Sequence, residues 1–126
     1  MSRWTLAKTM SQYDRFRKKY FLDDEARAGV VNTPPLARDL RWSWMSEKSV
    51  YLAETVFDVD NHPYDIAFNV ALQTWPDLLK TVILHELTHM RLGLKYKCPS
   101  MTKKQRASKR WRTEMVRLAA MGAPLL

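Results

Sequence analysis

The segment 84–89 reads LHELTH and contains the spacing H-E-x-x-H, formed by His85, Glu86 and His89. In a helix, successive residues are rotated by about 100°, so two histidines four positions apart lie about one turn apart on nearly the same side. That separation lets both imidazoles bind one metal ion, with the carboxylate beside them. The segment therefore predicts a helix that carries a metal site.

The residues around this motif predict where the helix begins and ends. Thr74 and Asp77 have the spacing of a capping box, and Pro76 falls in the first turn, where its missing N–H costs nothing. Gly93 is the expected C-cap. The apolar residues between these ends cover most of the circumference, which predicts a helix buried in the middle of the domain; they are Leu78, Leu79, Val82, Ile83, Leu84, Leu87 and Met90.

The chemistry expected of the motif is that of a catalytic zinc site. Zinc held by two neutral imidazoles takes a third protein ligand and leaves a fourth position open for water. Glu86 would then accept the proton of that water as general base. The alternative is that His85 and His89 are core histidines satisfied by backbone carbonyls or by Glu86. Three such buried groups would each cost about 1 to 3 kcal/mol if unpaired, so the metal interpretation is favoured.

The third zinc ligand is predicted to be Glu114. It is the only acidic residue after Glu86, and it lies among apolar residues on one face of the last predicted helix, where an unpaired carboxylate is costly. The alternatives are Cys98, His62, and water or no third protein ligand. If Glu114 is not a ligand, helical spacing favours a salt bridge with Arg110 or Arg117.

The remaining chain predicts an α+β domain. Apolar spacing indicates an N-terminal helix over about 5–21, which 23–27 either prolongs or follows with a short turn. Three strand-like runs follow at about 40–45, 50–57 and 64–70, and their spacing predicts a small three-stranded antiparallel sheet. A second capping box at Thr102 predicts a C-terminal helix over about 103–121, ending at Gly122.

Length and composition indicate one domain over residues 1–126. The chain has 126 residues, 46% of them hydrophobic, which suits a single core. No apolar run approaches the roughly 18 residues of a membrane span, and the N-terminus lacks the apolar stretch of a signal peptide. A single cysteine, Cys98, forms no intrachain disulfide. The expected location is therefore the cytoplasm, with no membrane partner.

Positive charge is concentrated after the motif. Residues 1–90 hold 11 Lys/Arg against 12 Asp/Glu, a net charge of −1, whereas residues 91–126 hold 10 against one, a net of +9. Such a block favours a polyanion, and a nucleic-acid contact through residues 91–117 is one interpretation. The other interpretation, given equal weight, is a solvated face.

The region 40–94, with three short strands before the motif helix, resembles the SprT-like and phage-encoded small zinc metallopeptidases of the zincin class. The closing segment 111–124 is similar to the final helix of such proteins. The resemblance implies a minimal zincin-like domain in which His85 and His89 bind Zn²⁺, Glu86 is the general base, and strand 64–70 lines the cleft and pairs with an extended substrate. These proteins usually carry a third histidine before the aromatic residue of the last helix, where this chain has Ala107–Arg110.

The sequence thus predicts a zinc-dependent metallopeptidase that hydrolyses peptide bonds of a protein or peptide substrate. If the chain is phage-encoded, the host cytoplasm is the expected compartment. The alternative function is a nucleic-acid-binding or protein-binding module on a zincin scaffold, with a structural or vestigial zinc site. The two functions are compatible, because the SprT-like proteases that this chain resembles include members acting on DNA-associated proteins.

Overall fold

The N-terminal part of the chain forms two helices and a short 3₁₀ turn. The structure, a computed structural model, describes residues 3–93, the backbone of 97–98, and residues 108–125. Helix α1 spans Leu6–Tyr20, and Thr5 caps it by accepting a hydrogen bond from the amide of Lys8. Helix α2 spans Asp24–Arg27, so the acidic segment starts a separate short turn rather than prolonging α1. A 3₁₀ turn at Ala37–Asp39 leads into the sheet.

The sheet is mixed, not the purely antiparallel meander that the sequence predicted. Its strands are β1 (Arg41–Met45), β2 (Ala53–Phe57), β3 (Pro63–Asn69) and a two-residue β4 (Lys97–Cys98), in the order β1-β3-β2-β4. β1 pairs with β3 in parallel, whereas β2 is antiparallel to both β3 and β4. Strand periodicity fixes which residues share a face but carries no direction of pairing, so the sequence missed the parallel pair.

The position of β3 contradicts one part of a second expectation, the pairing of this strand with a substrate. The strand before the motif helix was expected to line the cleft and pair with a substrate. In the structure β3 lies between β1 and β2, and both of its edges are hydrogen-bonded within the sheet. β2 is the strand that contacts the motif helix most closely, because its residue Thr55 bonds to Glu86.

The motif helix is α3, Pro76–Leu92. Its end is as predicted, since Gly93 adopts the left-handed conformation with φ 68°. Its start differs from the predicted capping box. Thr74 belongs to a 3₁₀ helix (Val70–Thr74), and its hydroxyl donates to the carbonyl of Ala71 instead of capping α3. Trp75 occupies the N-cap position without a side-chain hydrogen bond.

The last helix, α4, spans Lys109–Ala120 and is capped by Ser108, which accepts a hydrogen bond from the amide of Trp111. The predicted capping box at Thr102 and the predicted first turns of this helix lie outside the described residues. The turn after α4 contains Gly122, with φ 78°, as expected.

Helix α3 is the centre of the core, as its apolar circumference predicted. Leu79, Val82, Ile83 and Leu87 have no exposed surface. On one side it meets α1, where the Tyr13 hydroxyl donates to the carbonyl of Pro35 and lies 3.3 Å from the sulfur of Met90. On its other sides, α3 contacts β2, β4 and α4. Among the described residues, no helix is long and apolar enough to cross a membrane.

Candidate metal centre

The H-E-x-x-H residues come together as the helical spacing predicted. His85, Glu86 and His89 each offer one donor atom, and these atoms lie within 4.8 Å of one another. Glu86 and His89 are fully buried, and His85 is half-buried. Two nitrogens and one carboxylate oxygen at such separations form a donor set that suits zinc.

Trp111 of α4 covers the two imidazoles. The ring centroids of His85 and His89 lie 4.6 Å apart at an interplanar angle of 72°. The Trp111 ring lies 5.2 Å from His85 and 5.1 Å from His89. Because Trp111 is itself buried, it fixes the orientation of both imidazoles and separates this side of the pair from solvent.

Burial keeps both imidazoles neutral. Loss of solvent lowers the pKa of His85 from 6.5 to about 4. The same burial, together with the nearby His85, lowers the pKa of His89 to about 3. Neutral imidazole is the form that binds a metal, so both side chains are ready to act as ligands at neutral pH.

Glu86 is held by a hydrogen bond from the sheet. The hydroxyl of Thr55 on β2 donates to Oε1 of Glu86 at 3.0 Å. Burial raises the pKa of Glu86 from 4.5 to about 8, although the Thr55 hydrogen bond lowers it and the nearby Glu54 raises it further. A cation bound beside the carboxylate would favour its charged form and lower this pKa.

The buried polar atoms provide a test of whether a metal fits. Within the described parts of the chain, His85 Nε2 and Glu86 Oε2 are buried without any hydrogen-bond partner. Unsatisfied buried polar atoms are uncommon and costly, whereas coordination to a cation uses their lone pairs. The residues present therefore fit a bound metal ion at His85 and His89, beside Glu86.

Glu114, the predicted third ligand, is not part of this group. Its two carboxylate oxygens accept hydrogen bonds from Arg117 at 2.6 and 2.9 Å. Arg91 Nε lies 3.0 Å from the second oxygen. The salt-bridge alternative with Arg117 is the arrangement observed, and Glu114 satisfies its buried charge through guanidinium groups.

His62 and Cys98 were the alternative third ligands. His62 is exposed in the β2–β3 turn, with Nδ1 3.9 Å from an oxygen of Asp58, and it belongs to a different, exposed cluster with Asp58 and Asp60. Cys98 lies opposite Ala53 in the β2–β4 register, and its side chain lies outside what the structure describes. Cys98 as a ligand therefore stays a prediction.

Two residues of the site were not identified from the sequence. Thr55 is one of several alternating residues in a strand, and nothing in its spacing marks it as the partner of a residue 31 positions later. Trp111 was assigned only to an apolar helix face. Its contact with the histidines arises because α4 is placed against α3, a tertiary relationship that local pattern does not encode.

Part of the basic segment is used inside the fold. Arg91 is fully buried and pairs with Asp23 at 2.7 Å. Arg117 is bound to Glu114, and Arg110 donates to the carbonyl of Leu92 at 3.0 Å. In the described part of 91–117, some of the basic side chains are therefore bound within the fold. Fewer of them face solvent than the net charge of the segment suggests.

Comparison with protein-family models, with curated proteins and with solved structures finds no match to this chain.

Proposed function

We propose that this protein is a zinc-dependent metallopeptidase that hydrolyses peptide bonds. The proposal is carried by one observation: two neutral imidazoles, one half-buried and one buried, have a buried carboxylate beside them, with all donor atoms within 4.8 Å. The sequence resemblance to SprT-like and phage-type small zincins agrees with this chemistry. A protein or peptide substrate follows from the same resemblance.

In this proposal His85 and His89 hold the zinc ion, and Glu86 is the general base. A bound zinc ion supplies the positive charge that polarises a substrate carbonyl and acidifies water. The Glu86 carboxylate would accept a proton from the attacking water. Trp111 holds the imidazole rings in place and limits water on their outer side.

The test has two measurements. Elemental analysis of the purified protein, after dialysis against a slight excess of zinc, should find about one zinc ion per chain. Casein or a self-cleavage band then reports proteolysis. Glu86→Gln should abolish cleavage by removing the base, while zinc content is retained because both imidazoles remain. An empty site in the zinc-supplied wild type refutes the proposal.

A binding module with a structural zinc ion is the second candidate. It is favoured by the complete burial of Glu86 and His89, because a structural site needs no access for substrate. Tight zinc retention by a wild type that cleaves no substrate would support it. Nucleic-acid binding by the basic segment would then appear as affinity that falls steeply with salt in a gel-shift titration.

A further inference from the structure

Thr55 stands out because it joins the central sheet to the motif helix through a single polar contact. It lies on β2, is only 6% exposed, and shares its face with the fully buried Ala53. Its hydroxyl donates to Oε1 of Glu86 at 3.0 Å. Both partners are buried, so water does not compete for either one.

The two oxygens of the Glu86 carboxylate have different surroundings. Oε1 is anchored by a hydroxyl on a strand that is hydrogen-bonded on both sides. Oε2 has no hydrogen-bond partner among the residues described. Because threonine is β-branched, its side chain is restricted in rotation and holds its hydroxyl in a fixed direction. The carboxylate therefore cannot rotate freely without breaking this bond.

We infer that Thr55 is a positioning residue for the general base: it holds Oε1 of Glu86 and thereby leaves Oε2 as the oxygen that accepts the proton. The inference rests on the proposed function for its catalytic consequence. A displacement of reacting groups by about 1 Å can cost about 10²-fold in rate, so one fixed hydrogen bond in this place has a measurable effect.

The kinetic test compares Thr55→Val with Thr55→Ser. Valine has nearly the shape of threonine but no hydroxyl, whereas serine keeps the hydroxyl and loses a methyl group. We expect Thr55→Val to lower kcat about 10-fold or more with KM changed less than about 2-fold, because only the reacting geometry is affected. Thr55→Ser should recover most of that loss. Equal losses in both variants, or an unchanged kcat in Thr55→Val, would overturn the inference.

A second measurement uses metal-free protein and needs no activity. In the wild type, Thr55→Val should lower the thermal unfolding midpoint, because it leaves Oε1 of Glu86 buried and unpaired. In a Glu86→Ala background the same substitution should have no effect or raise the midpoint, because it removes a hydroxyl that has lost its acceptor. Equal shifts in both backgrounds would show that the two residues are not coupled.

These readouts separate the two hypotheses. A wild type that holds zinc but cleaves nothing refutes the proposed peptidase and, with it, a catalytic role for Thr55. A wild type that cleaves peptides, together with additive midpoint shifts and an unchanged kcat in Thr55→Val, refutes the positioning role alone.

Discussion

Arg91 and Glu114 form a buried ion pair, with 3.0 Å between Nε of the one and Oε2 of the other. Arg91 lies two residues after His89 on α3, and Glu114 lies three residues after Trp111 on α4. The pair therefore fastens the helix that carries the histidines to the helix whose tryptophan covers them. Asp23 joins the same network by accepting from Arg91 at 2.7 and 2.9 Å.

Glu114→Gln should destabilise the protein without removing its metal. The amide removes a carboxylate that both Arg91 and Arg117 contact, whereas Asp23 remains 2.7 Å from Arg91 and 3.7 Å from Arg117. The expected loss of stability is therefore about 1 to 3 kcal/mol. Denaturant unfolding measures the loss, and elemental analysis after zinc loading measures the metal. Glu25→Gln is the matched control, because that carboxylate is 59% exposed at 3.4 Å from Arg91 and its loss should cost under about 1 kcal/mol. Loss of zinc with unchanged stability in Glu114→Gln would instead identify Glu114 as the third ligand.

Asp23 should make the fold sensitive to acid. The hydrogen bonds from Arg91 are the main reason that the pKa of Asp23 falls from 3.8 to about 2. Because the folded-state pKa is the lower one, this stabilisation is complete above about pH 4 and is lost as pH falls towards 2. Because Asp23 is partly exposed and solvent screens its pairing, this contribution is on the order of 1 kcal/mol. Asp23→Asn should remove that part of the acid dependence in unfolding curves between pH 5 and 2, while the asparagine still caps α2.

Asp24→Asn is the control for this measurement. The carboxylate of Asp24 is 99% exposed, and its ion pair among the described residues is with Arg27 at 3.5 Å, so its loss should leave the acid limb of the stability curve nearly unchanged. If Asp24→Asn flattens the curve as much as Asp23→Asn does, the buried network is not the source of the acid sensitivity.

The sequence predicted the centre of this molecule better than its periphery. The 3.6-residue period of α3, its left-handed end at Gly93 and the convergence of His85, Glu86 and His89 all follow from local geometry. The predicted strands also appear, but their parallel pairing does not follow from alternation. The predicted start of α3 was wrong because Thr74 belongs to the 3₁₀ helix Val70–Thr74, where its hydroxyl donates to the carbonyl of Ala71.

The predicted role of Glu114 shows where reasoning from single residues stops. Its burial on an apolar face was identified, and so was the need for a partner. The metal was favoured over a salt bridge with Arg110 or Arg117, because helical spacing alone does not show which partner is used. The choice depends on Arg91, which the sequence places in the last turn of α3 as an ordinary helix-end cation. Its full burial between α2 and α4 is a tertiary fact.

Glu86→Gln should stabilise the metal-free protein at neutral and alkaline pH. Burial raises the pKa of Glu86 to about 8, above its ordinary 4.5, so the folded state resists ionisation of this group. The wild type is then most stable below about pH 4.5 with respect to this residue and loses stability as pH rises towards 8. At pH 7 the penalty is on the order of 3 kcal/mol, and glutamine avoids it while still accepting from Thr55.

Unfolding of zinc-stripped protein at pH 5 and pH 8 tests this expectation. The gain from Glu86→Gln should be larger at pH 8 than at pH 5. Adding zinc should reduce the gain, because a cation beside Glu86 favours its charged form. A gain of the same size at both pH values would mean that the carboxylate is already ionised in the metal-free fold.

Trp111 should report metal binding directly through its fluorescence. Its ring lies about equally close to both imidazoles, at 5.2 and 5.1 Å, so a Co²⁺ ion bound between His85 and His89 lies close enough to quench its emission by energy transfer. Saturating Co²⁺ should therefore quench part of the emission of the five-tryptophan protein, and Trp111→Phe should lose most of that response.

Trp75→Phe is the control, because it removes a tryptophan that is 64% exposed at the start of α3 and should leave the Co²⁺ response in place. Phenylalanine retains an aromatic ring against the imidazoles, so Trp111→Phe should bind Co²⁺ with nearly unchanged stoichiometry. If Trp111→Phe is quenched as strongly as the wild type, the metal is bound somewhere other than beneath this ring.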